Sequence, residues 1–144
     1  MKKPYFLAFF IATLLVQIPE ALSLELVVIV HPSSRLQELT ARQVSDLYLG
    51  RTRALASDHV AEVHEHVHDS ELRKVFFQRL NGMSIRQVNA YWARLQFSGA
   101  VQPPIQLGDS GAVAEIVSKN PNAIGYIDSA FLKGNVRVVL RLKN

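Results

Sequence analysis

The chain lacks cysteine altogether, which excludes a disulfide framework, a thiolate metal site and thiol chemistry. It has a single tryptophan, and it shows no low-complexity tract, internal repeat or Pro/Gly/Ser-rich linker, so nothing divides it into separate units. Charge of one sign is also missing as a concentrated feature. The net charge is +4, but the basic residues are spread along the whole length rather than gathered into a stripe, so nucleic acid is not an expected partner. At 144 residues, with 49% hydrophobic, there is enough material for one real core without metal or disulfide staples.

Part of that apolar content is local. Lys2 and Lys3 precede a nearly uncharged stretch from Phe6 to Ile18, which is short for a membrane span. Pro19 and Glu20 follow, and then Ala21, Leu22 and Ser23 set small residues two positions apart, as at a signal-peptidase site. Residues 1–23 are therefore expected to be a cleaved signal peptide and 24–144 a single exported domain, periplasmic in location. The membrane is engaged only through the signal.

Downstream, Leu24 to Val30 is aliphatic apart from Glu25 and stops at His31-Pro32-Ser33-Ser34, the pattern of a strand buried on both faces. Thr40 with Gln43, and Ser84 with Gln87, have capping-box spacing and predict two helix starts. Leu39 with Val44, and Met83 with Val88, supply the hydrophobic staples. A further helix is expected after Asp69 or Ser70, with Leu72, Val75, Phe76 and Leu80 on its apolar side, and another after Asp109 or Ser110. Gly50, Gly82 and Gly99 stand where helices should end. Arg51 to Asp58 reads as loop, Val60 to Val67 as a strand, and Ala123 to Ile127 and Val136 to Leu142 as two closing strands. Helices interleaved with strands predict an α/β layer fold with helices on a largely parallel sheet.

Three segments then resemble one family. Pro121-Asn122-Ala123-Ile124-Gly125-Tyr126-Ile127 is similar to the P-x-A-I-G-Y-[IV] signature of the phosphate-binding proteins that serve bacterial phosphate ABC importers. Leu39 to Gly50 resembles their L-[ST]-x-x-x-[IL]-x-x-I-[YF]-x-G segment. Tyr91-Trp92-x-Arg94, with Phe97, Gly99 and Pro103-Pro104, resembles the short branch of that superfamily. The resemblance implies one lobe of a type II periplasmic-binding-protein-like fold, a mixed sheet flanked by helices, and a non-catalytic solute-binding role. In such proteins an oxyanion is held by hydroxyls and backbone N–H groups at helix N-termini, with a positioned arginine. The matching loop here is Val67 to Arg73. Ser70 takes the place of the family's serine, Asp69 and Glu71 replace glycines, Leu72 replaces a threonine, and the upstream arginine falls on Glu65 or His66. Added acidity beside an anion site predicts weak phosphate binding. Ser33, Ser34, Ser70 and Ser110 are the expected anion contacts, since all lie at turns or helix starts. A small oxyanion or a membrane transport component is the expected partner, and no cofactor is implied.

His64, His66 and His68 recur at every second position of the expected strand and should share a face. Three readings follow from that spacing: a solvated polar row, a pH-sensitive patch, or a metal site completed by Glu62, Asp69 or His31. There is no nucleophile elbow or phosphate-loop motif, and no enzymatic activity is expected.

Overall fold

The structure, a computed structural model, describes residues 24–56 and 59–144. The expected signal peptide lies outside the described residues, as do Ser57 and Asp58.

Strand β1 (Leu26–Val30) is shielded from solvent along its whole length, because it has a strand on each side and helices on both faces. Thr40 caps helix α1 (Ala41–Tyr48): its hydroxyl accepts from the Gln43 N–H while the Gln43 side chain accepts from the Thr40 N–H. Gly50 follows with a φ of 65°, and a methyl group there would come within 2.6 Å of Val101 Cγ1 and 2.9 Å of Trp92 Cη2. Both the left-handed turn and the close approach require glycine.

The stretch expected as loop and one strand is more finely divided. Short strands β2 (Ala54–Ala56) and β3 (His59–Val60) form an antiparallel hairpin, and β4 (Glu62–His66) begins only after it. Ser70, not Asp69, caps α2 (Glu71–Asn81), which ends on left-handed Gly82. Ser84 and Gln87 form the second capping box, at the head of α3 (Ile85–Ser98), with Gly99 left-handed at its end. After Pro103-Pro104 comes a strand the sequence did not announce, β5 (Ile105–Leu107), two of whose three side chains are exposed. Asp109 caps α4 (Ser110–Lys119), and β6 (Ala123–Asp128), a 3₁₀ turn (Ser129–Phe131) and β7 (Arg137–Leu142) close the chain.

The five-stranded sheet has the order β5-β4-β6-β1-β7. β4 runs parallel to β5 and β6, whereas β1 runs antiparallel to both of its neighbours, β6 and β7. The sheet is therefore mixed, with β1 the one strand reversed. Alternation on β1 divides the interior. Leu26, Val28 and Val30 join Tyr48, Phe76, Phe77, Val88 and Trp92 under α1, α2 and α3, while Val27 and Ile29 join Val113, Val117 and Ile127 beneath α4. Among the described residues no helix is long and apolar enough to cross a membrane.

Candidate functional site

Strand direction decides which expected contacts meet. Because β4, β5 and β6 are parallel, their carboxyl ends share one edge of the sheet, and α2 and α4 start from that edge. Ligands of α/β sheets gather outside such ends. Ser70 and Ser110 therefore belong to one region. The Ser70 hydroxyl accepts from the Arg73 N–H at 3.4 Å, and that of buried Ser110 accepts from the Asp128 N–H at 3.1 Å. In each the hydroxyl proton is still free to be donated. Asp109 accepts from the Ala112 N–H at 2.9 Å, so the head of α4 already holds one carboxylate.

Ser33 and Ser34 are elsewhere. Reversed β1 places Val30 opposite Ile124, near the amino ends of β4 and β6, where Glu62 pairs with Ala123. The serines that follow Val30 thus lie roughly 15 Å, a strand's length, from the other edge. Ser33 Oγ is 2.7 Å from His31 Nδ1, and buried Ser34 accepts from the Leu36 N–H while Arg137 donates to its carbonyl. They are turn residues at the other end of the strands, so the structure does not bring them together with Ser70 and Ser110.

The histidines do not form an exposed row. His64 and His66 are each only 3% exposed, and His68 alone faces solvent. Their surroundings explain this: the His66 ring stacks on Tyr126 at 4.9 Å, and the hydroxyls of Tyr48 and Tyr126 bond to the backbone of His64 and His66. Their partners also differ. His64 Nε2 is 2.8 Å from Glu62, His66 Nε2 is 3.1 Å from the Tyr126 carbonyl, and His68 Nε2 is 3.2 Å from the Asn89 amide. Among the described residues no three His, Asp or Glu side chains are arranged to hold a metal ion. Burial lowers the proton affinity of His66, an effect partly offset by its bond to the Tyr126 carbonyl and by Asp109.

Between β4 and α2 lies a buried ion pair. Arg73 Nε stands 3.1 Å from Glu65 Oε2 in an electrostatic approach rather than a well-aligned hydrogen bond. Arg73 also donates from Nη1 to Asn89 at 2.8 Å and to the His68 carbonyl at 3.4 Å, and its guanidinium lies 5.5 Å from the centre of the Phe77 ring. Gln106 donates to the other oxygen of Glu65 at 3.3 Å. Burial raises the Glu65 pKa above the ordinary carboxylate value, and Arg73, Gln106 and His68 pull it back down. Around the pair, Tyr126 stacks on Phe76 at 3.6 Å and accepts from the His66 N–H, and Tyr48 donates to the His64 carbonyl. Burial raises both phenols.

The sequence reading did not single out Arg73, although a signal was there. Arg73, Phe76, Phe77 and Leu80 are spaced three, four and seven apart, which puts a guanidinium in the apolar stripe of α2. Glu65 likewise takes Val63's side in the alternation of β4. Together with His68, Asn89, Trp92, Gln96, Pro103, Pro104 and Gln106, the pair lines a cavity of about 490 Å³.

No protein-family model matches the chain, and no curated protein matches its sequence significantly. Solved structures do share its fold. A phosphate ABC transporter substrate-binding protein from Clostridium perfringens, solved with bound phosphate, matches with a TM-score of 0.62 at 22% identity, over 81% of this chain and 45% of that one. An ABC-type phosphate transport receptor from Vibrio cholerae gives 0.63 at 16% identity, over 81% and 46%. PstS from Borrelia burgdorferi gives 0.61 at 14%, over 81% and 47%. The expected periplasmic-binding-protein-like α/β fold is thus the observed one, and the chain spans about half the length of the structures it matches.

Proposed function

We propose that the protein is an exported, non-catalytic solute-binding-type module that contacts a small oxyanion at the heads of α2 and α4 and works with a membrane transport component. The observation that carries this reading is that Ser70 and Ser110 both stand at helix starts along the carboxyl edge of parallel strands. Each sits at a helix start, where unpaired N–H groups and the positive end of the helix dipole favour an anion. Each hydroxyl has a proton to offer. The fold neighbours support the same ligand class, since one of them was solved with phosphate.

Affinity is held down by composition. Asp69, Glu71 and Asp109 cluster around the same two helix heads, and the one buried arginine nearby, Arg73, is engaged by Glu65. The expected Kd for phosphate is about 1 μM or weaker, measured by calorimetry on the purified protein. Ser70→Ala and Ser110→Ala should weaken it further, and binding in the nanomolar range would sink this account of the acidic residues.

A second reading, an interaction module that docks on a membrane transport component, is favoured by fold neighbours described as ABC-type transport proteins. It prevails if millimolar phosphate and sulfate leave the melting temperature unchanged while one defined transport subunit binds the chain stoichiometrically. Export has its own test. N-terminal sequencing of the protein recovered from the envelope should begin at Leu24, and a sequence beginning at Met1 removes the cleaved signal.

A further inference from the structure

The cavity over the Glu65–Arg73 pair differs in chemistry from the helix heads. At about 490 Å³ it has the size of a small-molecule site, a range of roughly 300–1,000 Å³. Its only charged lining residues are Glu65 and Arg73, and each is neutralised by the other at 3.1 Å. Neither a phosphate nor a metal cation would find an unbalanced charge there.

What the lining does offer is planar groups that donate and accept hydrogen bonds: the amides of Asn89, Gln96 and Gln106, and the His68 imidazole. Asn89 and Gln106 are already fixed in orientation by their bonds to Arg73 and Glu65. Trp92 also lines the cavity. It is only 5% exposed, and its indole N–H has no acceptor among the described residues, an unmet need that normally draws a partner. Pro103, Pro104 and the indole add flat C–H surface. Dense paired donors and acceptors, no net charge and an apolar wall suit a ligand whose groups donate and accept at once.

We propose that this cavity, bounded by α2, α3 and the β4–β5 edge, binds a small uncharged polyhydroxylated molecule, a polyol or monosaccharide. It is a second site whose lining includes neither Ser70 nor Ser110, although His68 and Arg73 bring it beside the head of α2, and its ligand chemistry does not depend on the oxyanion reading.

Trp92 is the chain's single tryptophan, so its emission reports this cavity directly. Titrating the full chain with D-glucose, D-galactose and myo-inositol should give, for at least one of them, a saturable emission change with a Kd of about 1 mM or tighter, matched by calorimetric heat. Ala93→Phe, from an exposed position on α3 that lines the same cavity, should block it and lower affinity at least about tenfold. Gln96→Ala, also on the exposed face of α3, is the milder variant and should weaken binding in the same direction. Absence of both emission change and heat for all three probes overturns the site. So does a response that both variants leave intact. A saturable Trp92 response to phosphate or sulfate instead of these probes overturns the uncharged-ligand assignment.

Discussion

Arg73 of α2 and Glu65 of β4 face each other at 3.1 Å with almost no solvent on either side chain, and the two form the charged floor of an otherwise neutral cavity. The pair engages the buried arginine in the first turn of α2. It thereby ties a feature of the core to the chemistry available at the surface.

Arg73→Met should leave the Glu65 carboxylate buried and uncompensated, at a cost of about 3–5 kcal/mol in urea denaturation. Replacing both partners, as Glu65→Leu with Arg73→Met, should recover most of that loss, because neither charge then needs solvation. A double variant no more stable than the single one would mean that Arg73 matters through its bond to Asn89 instead.

A methyl at Gly125 would lie 2.4 Å from Val113 Cγ1, because β6 and α4 approach closely there. Gly125→Ala should therefore cost about 1–3 kcal/mol through overpacking. Val113→Ala removes the clashing atom, so the double variant should be more stable than the sum of the single effects, with a coupling of about 0.5–3 kcal/mol. Strict additivity would show that the contact relaxes freely.

Ser84 opens the helix that carries Trp92, and its hydroxyl accepts from the Gln87 N–H at 3.2 Å. Ser84→Ala should cost about 1 kcal/mol, and Ser84→Asp, which retains the acceptor, much less. Thermal unfolding of the two variants side by side checks this, and equal losses would exclude the cap as the cause.

His66 gives a signed pH dependence. Burial lowers its pKa below the ordinary value of about 6.5. As pH falls, the unfolded chain therefore takes up this proton before the folded one does. The contribution is fully present above about pH 6.5 and is lost as pH drops toward the folded value. Glu65 acts oppositely: its raised pKa favours the folded state at low pH, and that contribution fades as pH rises through the raised value. Between pH 7.5 and 5.5, wild type should lose more stability than His66→Gln. Parallel curves would show that His66 does not titrate differently on folding.

The helix boundaries at Thr40, Ser84, Gly82 and Gly99 were legible in the sequence because caps are local: a side chain bonds a backbone group three residues away, or a glycine adopts φ near 70°. The full burial of β1 was legible for the same kind of reason, an unbroken aliphatic run. Three-residue β5 was not, since its pairing with β4 rather than its own composition makes it a strand.

The candidate site was only partly legible. The sequence by itself determined that Ser70 and Ser110 would stand at helix starts, and that Gly125 would sit in a strand of the P-x-A-I-G-Y segment. The tertiary structure alone decided that β1 runs against its neighbours, which separates Ser33 and Ser34 from the other two serines. It also decided that His64 and His66 are buried against Tyr48 and Tyr126, and that Arg73 reaches Glu65 from the apolar face of α2. The physical reason is range. Caps and periodicity are set by residues a few positions apart, whereas strand direction, burial and ion pairing come from hydrogen bonds and contacts between segments far apart in the chain, which local spacing does not specify.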